Sequence, residues 1–246
     1  MSLLCLDAGN TRLKWGLRAQ SGWLAQGALA YEAIAALRTE LPAAPRRIIA
    51  CNVAGPAVAK QIESLAAALG VPLDWFRSSP AASGVTNGYV TPTQLGADRW
   101  AALIGARHHH TGPALVVLAG TATTIDVLSA ESQFRGGLIL PGLDLMRAAL
   151  ARNTAGLPEA QGRYCELPTN TDDAIVSGAL QATLGAIERM RCRPMSPERG
   201  IPFGHADDFS VILSGGAADA LAPHLSLPVR RIEHLVLEGL AASGVW

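Results

Sequence analysis

Two stretches of this chain, Leu3–Asn10 and Ala114–Thr121, have the same design: a short apolar run that ends in a turn of small residues. Aligning Gly9 with Gly120 pairs Asp7 with Leu118 and Asn10 with Thr121. A strand ending in such a turn leaves backbone N–H groups bare at its tip, where an anion can approach them closely. The echo is what a duplicated α/β fold produces. Strand–turn–strand is also a common unit, so the echo alone leaves coincidence open.

Composition excludes several classes. Hydrophobic residues make up 49% of the 246 and charged residues 16%, against roughly 45–50% and 25% in globular chains. A largely disordered chain is excluded. Lys+Arg and Asp+Glu are both 20, so the basic excess of a nucleic-acid binder is missing. No apolar run reaches membrane-spanning length, and Asp7 interrupts the N-terminus too early for a secretory leader. Cys5, Cys51, Cys165 and Cys192 are far apart and form no CxxC. They read as buried thiols of a reducing compartment, which predicts a cytoplasmic protein that binds neither nucleic acid nor membrane.

Periodicity and turn chemistry divide the chain. Strands are predicted at Leu3–Leu6, Leu13–Leu17, Trp23–Ala30, Arg47–Cys51 and Leu73–Phe76, with helices at Tyr31–Leu41 and Pro56–Leu69. Ser78–Gln94 is rich in Ser, Gly, Pro, Thr and Asn and reads as a long loop, of the kind that often carries function. A helix follows from Asp98 to His108. Thr111-Gly112-Pro113 is the best boundary, giving domains at 1–110 and 111–246. Beyond it come strands Ala114–Ala119, Phe134–Leu140, Phe209–Leu213 and Val229–Ile232. The helices there are Leu143–Arg152, Thr171–Arg191 with Thr171 as N-cap, and His234–Ser243.

Several groups of residues can carry chemistry, and each has a plain structural reading beside it. Asp7, at a strand end, can hold Mg²⁺ directly or through water, and Lys14 can reach phosphate oxygens; the alternative is a hairpin turn with a surface lysine. Gly120-Thr121-Ala122-Thr123-Thr124 is a second anion-binding turn or a threonine-rich hairpin. Ser214-Gly215-Gly216-Ala217-Ala218 lies between a strand and a helix. Phosphates or an adenine can rest there on bare backbone, or the stretch is simply a close packing site. Asp98-Arg99 sits at a loop-to-helix junction, as an acid–base pair or as a helix-end carboxylate beside a surface arginine. His108-His109-His110 reads as a solvated helix end, because consecutive helical side chains point apart. Walker and GxGxxG sequences are absent.

In combination and in this order, the Gly/Thr turns resemble the actin-like, sugar-kinase and heat-shock ATPase superfamily. With Gly96-Ala97-Asp98-Arg99 and Gly136-Gly137-Leu138-Ile139-Leu140-Pro141-Gly142 added, the whole chain resembles the type III pantothenate kinases, whose bacterial members include the Bvg accessory factors. The resemblance implies a duplicated actin-like, ribonuclease H-like fold: two mixed sheets flanked by helices around a nucleotide cleft. It implies ATP-dependent phosphorylation of pantothenate, the first step of coenzyme A synthesis, in a homodimer. Asp7, Ala8, Gly9, Asn10, Thr11, Arg12, Leu13 and Lys14 then form the first phosphate loop, with Asp7 beside Mg²⁺. Thr121 contacts ATP phosphates, and Gly215 and Gly216 lie at the adenosine. Tyr89, Gly96, Ala97, Asp98 and Arg99 bind pantothenate, Asp98 as general base and Arg99 at the carboxylate. Thr171 reaches a neighbouring subunit's pocket.

One position departs from the family pattern. Many members carry Asp where this chain has Leu118, and there it holds a monovalent cation such as K⁺ or NH₄⁺. Leu cannot ligate a cation, which puts that dependence in doubt. Two other readings accompany the kinase: a regulatory nucleotide-binding protein of this fold without kinase activity, and a kinase of another small alcohol, since a fold does not fix a substrate.

Overall fold

The computed structural model describes residues 2–191, 210–226 and 228–244. In chain order the first elements are β1 (Ser2–Ala8), β2 (Leu13–Ala19), β3 (Gly22–Leu29), a 3₁₀ segment Tyr31–Ala36, α1 (Leu37–Glu40), β4 (Arg47–Asn52), α2 (Pro56–Leu69), β5 (Leu73–Trp75), β6 (Ala81–Ala82), β7 (Val85–Asn87) and α3 (Ala97–His109). Then come β8 (Ala114–Ala119), β9 (Ala122–Leu128), β10 (Gln133–Pro141), α4 (Leu143–Asn153), α5 (Thr171–Arg191), β11 (Ser210–Ser214), α6 (Ala218–Leu221), β12 (Val229–Arg231) and α7 (Leu235–Ser243).

The chain divides into two compact units. The first takes the residues up to Thr111, the tripeptide Ser132–Phe134 and the stretch from His234 onward; the second takes Gly112–Glu131 and Arg135–Glu233. The first unit holds a sheet in the order β3-β2-β1-β4-β5. There β1 runs antiparallel to β2 and parallel to β4. In the second unit the strands lie in the order β10-β9-β8-β11-β12, with β8 antiparallel to β9 and parallel to β11. Strand for strand this is the same arrangement, so the short echo noted in the sequence extends over whole sheets.

Alternation along β1 builds the first unit from both sides. Leu4, Leu6 and Ala8 face one core together with Ile48 and Ala50 of β4 and Ile62 and Leu65 of α2. Leu3, Cys5 and Asp7 point to the other face and are buried there as well. α7 packs on that side of the sheet and against α3. The two helices touch through glycine: a Cβ on Gly105 would press into the Leu235 carbonyl, and one on Gly239 would overlap the Ala101 carbonyl. α2 keeps its predicted ends because Pro56 supplies the first helical residue and Gly70 closes it at φ 67. The core of the second unit gathers Leu115, Val117, Ile125, Val211 and Leu213 of the sheet with Leu180 and Ile187 of α5.

Four local expectations are corrected. Tyr31–Leu41 is not one helix but a 3₁₀ segment running into the single turn of α1. The Ser78–Gln94 loop contains the β6–β7 hairpin. Thr171 is the first residue of α5, and Asn170 does the capping: its Oδ1 accepts from the Asp173 N–H at 2.9 Å. Both residue types cap well, so residue type alone does not choose between them. Thr123 and Thr124 belong to strand β9 rather than to a turn. Phe209 and Cys192 lie outside the described residues. Among the described residues no helix is long and apolar enough to cross a membrane.

Candidate active site

In the first unit, Asp7 and Lys14 are cross-strand partners beside the β1–β2 turn. Asp7 is 5% exposed. The Cys51 thiol, its register partner on β4, donates to Asp7 Oδ1 at 3.5 Å. Burial pushes the Asp7 carboxyl up to about 6; Lys14 opposes the shift and Asp98 adds to it. Burial next to Asp7 also lifts the Cys51 thiol well above its ordinary value. The turn residues Asn10, Thr11 and Arg12 are exposed, whereas Ala8 and Leu13 are fully buried. The Tyr31 hydroxyl donates to the Gly9 carbonyl, tying down the turn.

Asp98 enters through α3. Gly96 is the residue before the helix, and Asp98 lies in the first turn, where the helix dipole favours a carboxylate. Its Oδ1 accepts from the Arg99 backbone N–H at 2.8 Å. Arg99 is 4% exposed and its Nη1 donates to the Tyr89 hydroxyl at 3.0 Å. Asn87 shapes the loop that presents Tyr89. Its side-chain amide donates to the carbonyls of Ser79 and Pro92, and its Oδ1 accepts from the Tyr89 N–H at 3.1 Å. Asp7, Lys14, Asp98, Arg99 and Tyr89 therefore fall in one region of one unit, a carboxylate pair beside an arginine–tyrosine pair.

A divalent cation suits the carboxylates. Mg²⁺ takes hard oxygen ligands, commonly one or two carboxylates together with substrate phosphates. Asp98 is near enough to Asp7 to raise the cost of the Asp7 charge. Among the described residues there is no cluster of three or more His, Cys, Asp or Glu groups that could form a metal cage. His109 is engaged elsewhere, 3.1 Å from Glu238.

The second unit carries small-residue turns at the end of β8. Gly120 and Thr121 make the hairpin to β9, closed by the Gly120 N–H on the Ala122 carbonyl at 3.0 Å. The Thr121 carbonyl accepts from Gly142 at 2.9 Å, and the Thr121 side chain is exposed. Gly215 has φ 106, left-handed territory that only glycine enters freely, and it lies against the Ala119 backbone. Ala217 N–H donates to the Ala119 carbonyl at 3.0 Å, which docks this turn onto β8. Gly216 is exposed. Thr171 lines a cavity of about 1040 Å³ bounded by α4 and α5.

Leu118 pairs with Thr124 across β9 and with Ser214 across β11. Neither of these partners is a carboxylate. A monovalent-cation site built on a carboxylate at this position does not fit the residues present. Asp126, fully buried, is two residues farther along β9, opposite Val116. Cys51, Asn87 and Phe134 did not stand out in the sequence as parts of the site. Cys51 reaches it through the β1–β4 pairing and Phe134 through the pairing of β10 on β7, which no local spacing reveals, while Asn87 acts within its own loop.

The family model for type III pantothenate kinases matches residues 3–193. A type III pantothenate kinase of Aromatoleum aromaticum is 49% identical over 241 residues, covering 97% of this chain and 96% of that protein. One of Dechloromonas aromatica is 44% identical, covering 97% of both. Among solved structures, a Baf family protein of Campylobacter jejuni is 20% identical, with a TM-score of 0.64 over 97% of this chain and 95% of that one. The ethanolamine utilization protein EutJ of Carboxydothermus hydrogenoformans is 13% identical, with a TM-score of 0.57 over 99% and 90%. At those identities the structures speak for the fold alone, and a putative 2-dehydro-3-deoxygalactonokinase of Sinorhizobium meliloti, 17% identical with a TM-score of 0.59 over 98% of this chain and 97% of that one, places it with sugar kinases. Family model and full-length relatives agree: the chain belongs to the type III pantothenate kinase family.

Proposed function

We propose that this chain transfers the γ-phosphoryl group of ATP to the primary hydroxyl of pantothenate, the entry reaction of coenzyme A synthesis. The observation that carries the reading is the pairing at the start of α3: a partly exposed carboxylate, Asp98, next to a buried arginine held by Tyr89. An acceptor with a carboxylate at one end and an alcohol at the other needs those two groups.

Phosphoryl transfer asks mainly for positioning and charge neutralisation. Arg99 binds the carboxylate of pantothenate, and the Tyr89 hydroxyl fixes the direction of the guanidinium. Asp98 orients the alcohol and takes its proton as attack proceeds; a carboxylate suffices because that transfer comes late. Asp7, together with Lys14, receives the phosphate end of ATP, and Asp7 holds Mg²⁺. When bound, Mg²⁺ neutralises charge on the β- and γ-oxygens. The backbone N–H groups and Thr121 hydroxyl of the β8–β9 hairpin bind phosphate oxygens. Gly215 and Gly216 leave space for the adenosine. Thr171 serves the pocket of a second copy, so the active species is a homodimer in the cytoplasm.

ADP release coupled to a reporter, with and without pantothenate, tests the reading. Pantothenate-dependent turnover is expected. ADP release independent of pantothenate, or none at all, would leave an ATPase or a binding protein of the same fold. Asp98→Asn is expected to fold normally and to lose about 10²–10⁴-fold in kcat. Near-normal turnover would remove Asp98 from its role.

A further inference from the structure

Phe134 is fully buried and belongs to the first unit, although the chain on either side of Ser132–Phe134 belongs to the second. Pairing in parallel on β7 puts it there: Gln133 is the register partner of Thr86, and Phe134 of Asn87. Asn87 is the residue whose side chain shapes the Tyr89 loop. The Phe134 and Tyr89 rings lie 5.2 Å apart between centroids, tilted by 42°. The guanidinium carbon of Arg99 is 5.7 Å from the Tyr89 ring centroid and 5.8 Å from that of Phe134. A buried arginine thus faces two neighbouring aromatic rings, and the hydroxyl of one of them, Tyr89, also accepts its N–H.

We infer that Phe134 is a positioning residue for carboxylate recognition: it holds the Arg99 guanidinium and the Tyr89 ring in one arrangement, so the acceptor's carboxylate meets a receptor already formed. The inference rests on the reading of Arg99 as the carboxylate-binding group. Guanidinium is weakly hydrated and packs well on aromatic faces. A ring fixes it without consuming an N–H donor, which a carboxylate or carbonyl in the same place would do. Without the ring, the long arginine side chain regains rotamers, and ligand binding must order it again.

Phe134→Leu and Phe134→Met keep apolar volume and remove the ring. The test compares pantothenate with panthenol, the same molecule bearing a hydroxymethyl group in place of the carboxylate, as substrate or competitor. The expected result is a pantothenate KM about 5- to 20-fold higher, the scale of one lost cation–π contact. kcat and the apparent constant for panthenol should both hold within about twofold, because the lost contact acts only through the carboxylate. An equal rise for both molecules, no rise for either, or failure of both variants to fold would reduce Phe134 to a core residue and overturn the inference. Arg99→Met separates this from failure of the underlying reading. If it weakens both molecules equally, Arg99 does not grip the carboxylate. If it is selective for pantothenate while the Phe134 variants are not, the positioning role alone is wrong.

Discussion

The β1–β2 and β8–β9 hairpins are the same device in two chemical versions. Each leaves the middle strand of a five-strand run at a Gly-containing turn, and the two runs, β3-β2-β1-β4-β5 and β10-β9-β8-β11-β12, match in order. In the first, the residue two before the glycine is Asp7, a buried carboxylate with a thiol donor on one oxygen. In the second it is Leu118, flanked by the hydroxyl-bearing Thr124 and Ser214. One hairpin presents negative charge, which suits a cation. The other presents N–H and hydroxyl groups without charge, which suits an anion. A shared backbone frame thus leaves the ligand to be chosen by one side chain at one register position.

Swapping neutral amides into the two positions should separate the hairpins most sharply. Asp7→Asn is expected to cut kcat by about 10- to 100-fold, the scale seen when a metal site loses a directing group, and to raise the Mg²⁺ concentration needed. Leu118→Asn should change kcat less than about threefold, since nothing charged is removed. Comparable losses would break the contrast. Asp7→Asn also has a stability signature. The folded carboxyl titrates near 6 against 3.8 for an ordinary aspartate, so folding takes up a proton between those values. The stability contributed by the protonated form is complete below about pH 4 and is lost as pH rises through about 6. Asparagine has no such loss. The variant should therefore gain on the wild type by up to about 3 kcal/mol between pH 4 and pH 8, as read by urea midpoints at both pH values. A constant difference would show that burial does not raise the Asp7 carboxyl.

The threonines of the second hairpin sharpen the comparison from the other side. Thr121 is exposed at the turn, whereas Thr123 is fully buried and its hydroxyl has no hydrogen-bond partner among the described residues. Thr121→Val should raise the KM for ATP about tenfold, the equivalent of one hydrogen bond to a charged group. Thr123→Val replaces an unsatisfied hydroxyl with a methyl group of the same shape and should stabilise the fold by about 1 kcal/mol with no change in the KM for ATP. A thermal melt and an ATP titration read both. A rise in the ATP KM of Thr123→Val would mean that its buried hydroxyl faces the nucleotide.

How much of this could be read beforehand depended on the range of the interaction involved. Helix α2 was legible to the residue because proline and glycine mark its ends locally. Thr171–Arg191 was legible as one long helix because two acidic residues sit in its first turn, although its cap is Asn170 and not the expected Thr171. The segment at Tyr31–Leu41 was not, since apolar spacing does not distinguish a 3₁₀ run from an α-helix over so few residues. At the site, Asp7, Asp98 and Arg99 stood out by type and neighbours. Cys51 and Phe134 did not. Cys51 meets Asp7 only through the β1–β4 register, 44 residues away. Phe134 meets Arg99 only because a tripeptide between β9 and α4 pairs with β7.

The smallest effect, and the finest test of the comparison, is at Leu118. Putting a carboxylate there makes the second hairpin resemble the first in charge. Without it, hydroxyls and carbonyls hold a monovalent ion only weakly, because little negative charge remains to replace the ion's hydration. The kinase should accordingly show a shallow response to K⁺ and NH₄⁺, changing by no more than about threefold when KCl or NH₄Cl is titrated at constant ionic strength against Tris. Leu118→Asp should add a saturable K⁺ stimulation. The new carboxylate would lie in the row of Thr124 and Ser214, whose oxygens can complete a coordination shell. In the absence of K⁺ the same carboxylate is left partly buried and unpaired, so the variant should melt earlier than the wild type and recover on adding K⁺. A steep, saturating K⁺ requirement in the wild type would show that another group, with Asp126 the first to test, already supplies the charge. In that case Leu118→Asp should leave the K⁺ response almost unchanged.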